Sequence, residues 1–221
     1  MIRNVVFDMD GVLFDTERLS QHYWGEAGRE LGLPNMETEI YDYLGVTSQI
    51  SKALFERDHG DVMSYAEWNK IVRGYSADHI ARHGVPMKKG VRELLAYLKQ
   101  NGIGVALATS SARTLAEKYL RQTEIYEFFD AIVTGDMVVN SKPDPEIYLL
   151  ACEKLGGDPA EAAAVEDSHN GIRSAAAAGM QAIMVPDLIE PTDELRGLSA
   201  AVLPSLIDVI DWISVQNQSK Y

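Results

Sequence analysis

Four short polar clusters carry the residue types that chemistry on an anion requires. Asp8 and Asp10 stand two residues apart behind an apolar run, Val5-Val6-Phe7, and are followed by Gly11. Thr109-Ser110-Ser111 follow Val105-Ala106-Leu107-Ala108, Lys142 precedes Pro143, and Glu166-Asp167-Ser168 follow Ala163-Ala164-Val165. A carboxylate near a core is costly unless a cation or hydrogen-bond donors meet it. The acidic residues therefore imply a hard, oxygen-seeking cation, for which Mg²⁺ is the natural choice, with Asp8, Asp10, Glu166 and Asp167 as its candidate shell. The Thr109 hydroxyl and N–H groups at a helix start suit phosphate oxygens. Lys142 supplies the positive charge that lets an anionic phosphate approach carboxylates. In that arrangement Asp8 attacks phosphorus. Asp10 protonates the departing oxygen and later deprotonates the water that hydrolyses the aspartyl-phosphate. Taken singly, Ser110, Ser111 and Ser168 are equally well explained as helix caps.

The elements that must position these clusters follow from periodicity. Residues 2–8 read as a buried strand because the run is continuously apolar. Leu19, Tyr23, Ala27 and Leu31 form a helical stripe, stopped by Gly32 and Pro34. Ile50, Ala53 and Leu54 mark a second helix, and Ser64-Tyr65-Ala66-Glu67 opens a third as a capping box. From residue 85 the pattern alternates: helix 91–101, strand 103–108, helix 112–122, strand 131–134, a helix from an Asp144 cap to Leu155, strand 163–165, helix 170–178, strand 182–185, strand 201–203 and helix 205–214. Repeated β-then-α predicts an α/β fold, a Rossmann-like parallel sheet with helices on both faces. The expected division is a catalytic core of residues 1–15 and 85–221, with an inserted all-helical domain at 16–84. In open parallel sheets ligands bind beyond the carboxyl ends of the strands, where the polar clusters fall.

Composition narrows the function classes. The chain has 221 residues, 46% of them hydrophobic, and a formal net charge of −13. That charge argues against nucleic acid and anionic lipid as partners. No apolar run approaches the ~20 residues of a membrane span, and the first residues carry no charged-then-apolar leader, so a cytoplasmic protein is expected. The single cysteine, Cys152, lies in an apolar stretch and reads as a core thiol.

These residues resemble the haloacid dehalogenase-like superfamily of phosphohydrolases along the whole chain. Asp8-Met9-Asp10-Gly11-Val12-Leu13-Phe14-Asp15-Thr16 is similar to its first motif and Leu107-Ala108-Thr109-Ser110-Ser111 to its second. Ser141-Lys142-Pro143-Asp144-Pro145 resembles the third, and Val165-Glu166-Asp167-Ser168-His169-Asn170-Gly171 the fourth. The branch it most resembles holds β-phosphoglucomutase and small sugar-phosphate phosphatases. The resemblance implies Mg²⁺ held by Asp8, the Asp10 carbonyl and Asp167, with Glu166 close by. It also implies phosphate contacts from Thr109, Ser110 and Lys142. The insertion would be the family's small α-helical cap, which closes over the core, excludes water and selects the substrate. Thr16, Trp24, Gly45, Thr47 and Ser48 are its expected substrate-facing positions.

Two departures bear on the reaction. Where the mutase has a cap histidine, five residues past the position of Asp15, this chain has Ser20, and His22 is displaced to another helix face. Where the mutase has an arginine for the distal phosphate, Gly45-Val46-Thr47-Ser48-Gln49 places Ser48. Both favour hydrolysis of a small phosphorylated metabolite, such as a sugar phosphate; because cap and core together can bury a site without a partner subunit, a monomer is expected. A phosphosugar mutase and a receiver-type phospho-acceptor module are the competing readings. The second Asp and the helical insertion after the first strand disfavour the receiver.

Overall fold

The computed structural model describes residues 1–44 and 48–218. The chain forms two compact units, Met1–Phe14 with Met87–Tyr221, and Asp15–Pro86. Strand β1 (Asn4–Phe7) comes first. The second unit then contributes α1 (Thr16–Leu31), α2 (Met36–Glu39), α3 (Ser48–His59) and α4 (Tyr65–His83). The remainder alternates as α5 (Val91–Gln100), β2 (Gly104–Thr109), α6 (Arg113–Gln122), β3 (Ala131–Thr134), α7 (Glu146–Lys154), β4 (Ala162–Glu166), α8 (His169–Ala177), β5 (Gln181–Met184), α9 (Asp193–Leu198), β6 (Ala201–Val202) and α10 (Leu206–Gln218).

The first unit is the expected α/β fold. Its six strands are all parallel, in the order β3-β2-β1-β4-β5-β6. Parallel strands covered on both faces must be apolar throughout, and β1 is buried at all four positions. The helices supply the cover with apolar faces at helical spacing. Val91, Leu94, Leu95 and Leu98 are buried on α5, and Ile147, Tyr148, Ala151 and Cys152 on α7. Cys152 is the core thiol its neighbours indicated, and burial pushes its pKa up to about 11. The strand order reverses direction of growth between β1 and β4, which places a crevice beyond their carboxyl ends.

The second unit has its own core. Trp24 packs edge-on against Trp68 at 5.3 Å between ring centroids, and Tyr43 lies tilted against it at 4.8 Å. Ala27, Leu33, Met36, Ile40, Phe55 and Val72 complete that cluster. The capping box is formed at the start of α4. The Ser64 hydroxyl accepts from the Glu67 N–H at 3.3 Å and Glu67 Oε2 accepts from the Ser64 N–H at 2.9 Å.

Three local features departed from the sequence pattern. The one-turn α2 and the six-residue α9 are too short to show a periodic stripe. The helix expected from an Asp144 cap begins at Glu146, yet Asp144 still caps locally, because its Oδ1 accepts from the Glu146 N–H at 3.0 Å.

Replacing Ser64 with Ala removes the cap and is expected to lower the stability of this protein by about 1 kcal/mol. Urea unfolding measures it, and an unchanged midpoint would contradict the cap's contribution. Hydrogen bonds from the Ser64 hydroxyl and N–H hold the Glu67 carboxyl below the usual range. Its stabilisation is therefore present above the unfolded glutamate value of about 4.3. It is lost as pH falls through the lowered folded value, so the difference between parent and Ser64→Ala narrows in acid.

Candidate active site

The register of the central strands assembles the site. Phe7 lies opposite Leu107 on β2 and Val165 on β4. The next residues along are Asp8, Ala108 and Glu166, so three strand ends meet at one level. The Asp8 N–H continues the ladder by donating to the Val165 carbonyl at 3.0 Å. Beyond Asp8 the chain turns sharply. The Gly11 N–H donates to the Phe14 carbonyl at 2.8 Å, and Met9, Val12, Leu13 and Phe14 are buried beneath the turn. Gly11 has a φ of +81°, and a Cβ there would collide with the Asp167 carboxylate, so both conformation and space require glycine.

Lys142 ties these strand ends together. Its Nζ donates to Asp8 Oδ1 at 2.5 Å, Glu166 Oε1 at 2.7 Å and the Ala108 carbonyl at 3.0 Å. Three acceptors use all three ammonium protons. The lysine side chain is only 7% exposed and Glu166 is fully buried. The peptide bond between Lys142 and Pro143 is cis. Burial opposes the lysine's charge, but the flanking Asp8 and Glu166 carboxylates outweigh it and raise its pKa. At Asp8 the balance runs the other way. Burial pushes its pKa up to about 7, and Glu166 and Asp10 add to that against the pull of Lys142. Glu166 is buried too, but Lys142, the Ser168 N–H and Tyr148 hold its pKa below the usual range.

The remaining predicted residues are placed as follows. Asp10 is half-buried and its Oδ2 accepts from the Ser111 hydroxyl at 3.0 Å. Thr109 is buried at the end of β2, and its Oγ1 accepts from the Ser111 N–H at 3.0 Å. Ser110 is exposed just beyond it. Neither Ser110 nor Ser111 caps α6, whose cap position is Ala112 without a side-chain bond. Ser168 does cap α8, accepting from the Gly171 N–H at 3.0 Å. Trp24 is 4% exposed and packs in the apolar core of the second unit. Thr16 stands half-buried in the first turn of α1. Gly45 and Thr47 lie outside the described residues, as does the side chain of Ser48.

Two side chains that bond to predicted site residues were not given that contact by the sequence. Ser111 read as a cap, whereas its hydroxyl orients Asp10. Tyr148, on an apolar helix face, donates its hydroxyl to Glu166 Oε1 at 2.8 Å. A tyrosine amid core positions is the signal that would have flagged it, since a buried hydroxyl needs an acceptor.

The carboxylates suit a hard divalent cation. Oxygens of Asp8, Glu166 and Asp167 lie within 4.8 Å of one another, the one such group among the described residues. Only oxygen donors are offered, the set such a cation takes. Burial raises the pKa of Asp8 most, and the neighbouring Glu166 and Asp10 carboxylates add to it, a setting that a divalent cation would relieve. Glu166 already receives five donors. Lys142 and Tyr148 meet Oε1 at 2.7 and 2.8 Å, while the Asp167 N–H, the Ser168 N–H and the Ser168 hydroxyl meet Oε2 at 3.1, 3.1 and 2.9 Å. A carboxylate so surrounded is better suited to anchoring the lysine than to ligating metal.

Comparison with known proteins agrees with the fold. The family model for haloacid dehalogenase-like hydrolases matches residues 5–185, and the chain belongs to that family. Its class is that of a phosphoric monoester hydrolase of the haloacid dehalogenase type. The phosphorylated carbohydrates phosphatase of Thermotoga maritima is 35% identical over 184 residues, 81% of this chain and 82% of that protein. Hexitol phosphatase B of Escherichia coli strain K12 is 31% identical over 214 residues, 92% of each chain. The crystal structure of CbbY from Rhodobacter sphaeroides in complex with phosphate superposes with a TM-score of 0.72 at 30% identity, covering 95% of this chain and 96% of that one. Among the described residues no helix is long and apolar enough to cross a membrane.

Replacing Lys142 with Met leaves two buried carboxylates without their ammonium. The expected cost is about 3 kcal/mol or more. It is measured by urea unfolding in the absence of divalent metal, and a midpoint equal to the parent's would contradict the account of this network.

Proposed function

We propose that this protein is a Mg²⁺-dependent phosphatase of a small phosphorylated metabolite, a sugar phosphate, working through an aspartyl-phosphate on Asp8. The observation that carries the reading is the buried contact of Asp8 with Lys142 beside Asp10, at the crevice between β1 and β4. Mg²⁺ would be held by Asp8, the Asp10 carbonyl and Asp167, and when bound supplies positive charge opposite the phosphoryl oxygens.

The remaining roles belong to the chain's own side chains. Lys142 fixes Asp8 so that its other oxygen attacks phosphorus, and it offsets negative charge as the phosphate approaches. The bond from phosphorus to the ester oxygen breaks with its electron pair on that oxygen, and Asp10 delivers the proton. Asp10, held by Ser111, then takes a proton from water, which attacks phosphorus and releases inorganic phosphate and the Asp8 carboxylate. Thr109 and Ser110, at the end of β2, are the proposed phosphate contacts.

The helical unit Asp15–Pro86, inserted between the aspartate pair and the Thr109 cluster, is the proposed cap. Sugar phosphates are favoured because relatives matching most of this chain are named for phosphorylated carbohydrates and a hexitol. Hydrolysis is favoured over phosphosugar transfer because Ser20 and Ser48 stand where the mutase has its histidine and arginine.

Asp8→Asn is expected to abolish Mg²⁺-dependent turnover of an aryl phosphate, and full activity in that variant would refute the assignment. Chelation should stop the parent enzyme and added Mg²⁺ restore it. With β-glucose 1-phosphate and a trace of bisphosphate, the expected product is free phosphate. Accumulation of glucose 6-phosphate would instead establish a mutase.

A further inference from the structure

Lys142 is directed at Asp8 by its acceptors, and these differ in how firmly they are held. The Ala108 carbonyl belongs to β2 and is fixed by the sheet. Glu166 is a side chain, and its carboxylate must be kept from turning. Oε2 is fixed by the Asp167 and Ser168 N–H groups and the Ser168 hydroxyl. Oε1, the oxygen that faces the lysine, has one further donor, the Tyr148 hydroxyl at 2.8 Å. The Tyr148 ring also lies under the ammonium, with Nζ 5.0 Å from its centroid, within the range at which a ring face attracts a cation.

Tyr148 is fully buried on α7, a helix packed against β1, β2 and β3, so its ring is fixed by the core. Packing alone asks only for the ring. The hydroxyl does something a phenylalanine would not, because it holds Oε1 at a set distance from the lysine. Without it, Oε1 keeps the lysine as its one donor and can pivot about the held Oε2, drawing the ammonium away from Asp8.

We propose that Tyr148 is a positioning residue for phosphoryl transfer, acting through Glu166 and Lys142 to set the orientation of Asp8. The inference rests on the reading of Asp8 as nucleophile. Tyr148 itself meets no reacting atom. A misplaced nucleophile slows the chemical step more than it weakens binding, so the effect falls on kcat.

The test is a double-mutant cycle of Tyr148→Phe and Glu166→Gln, with aryl phosphate and saturating Mg²⁺, and Asp8→Asn as reference. Tyr148→Phe is expected to lower kcat about tenfold with KM little changed. In the Glu166→Gln background the same change should cost less than about twofold, because the two residues act on one path. Unchanged kcat, an equal loss in both backgrounds, or a loss confined to KM would overturn the proposal. So would loss of a cooperative thermal transition in Tyr148→Phe, which would assign the hydroxyl to folding. Turnover by Asp8→Asn would instead remove the reading on which the inference rests, so the two failures are distinguishable.

Discussion

One buried ammonium shared between two carboxylates organises the first unit's functional end. Lys142 bridges Asp8 and Glu166, and each of the three would be costly to bury alone. Together they are tolerated because every lysine proton has an acceptor and Glu166 is ringed by donors. The balance is uneven. Glu166 is held as a carboxylate, while burial and like charges raise Asp8 to about 7. That asymmetry suits the proposed division of labour: a fully bonded acid anchors the lysine, and a less satisfied one is the proposed nucleophile.

The sheet makes this arrangement possible. Parallel pairing of β1 with both β2 and β4, in matched register, brings Asp8, Ala108 and Glu166 to one level. Two glycines then allow close approach. Gly11 leaves room for the Asp167 carboxylate, and Gly171, in the first turn of α8, leaves room for that of Glu166. A Cβ at either position would displace a carboxylate, so the acidic residues and these glycines form one constraint.

Much of this was legible in the sequence because its signals are local. A continuously apolar strand ending in Asp-x-Asp, a strand ending in Thr-Ser-Ser and a strand ending in Glu-Asp-Ser each declare their place without the fold. The parallel sheet followed from β-then-α alternation. Less legible were contacts that depend on partners far along the chain. Nothing around Tyr148 reveals that its hydroxyl reaches Glu166, eighteen residues away, and nothing around Ser111 reveals Asp10, over a hundred residues earlier. Equally illegible was the ring cluster around Trp24, where Tyr43 and Trp68 pack against it from other parts of the inserted unit. Short helices such as α2 left no period to read.

The central claim is that Asp8 becomes phosphorylated. Quenching the Mg²⁺-loaded enzyme in acid during turnover of an aryl phosphate, followed by peptide mapping by mass spectrometry, tests it directly. The account predicts an acid-stable phosphoryl group on the peptide's Asp8 at early times, absent when substrate is omitted. Phosphate on Asp10 or on another residue, or turnover with no phosphorylated carboxylate in a quench fast enough to precede hydrolysis, would contradict it.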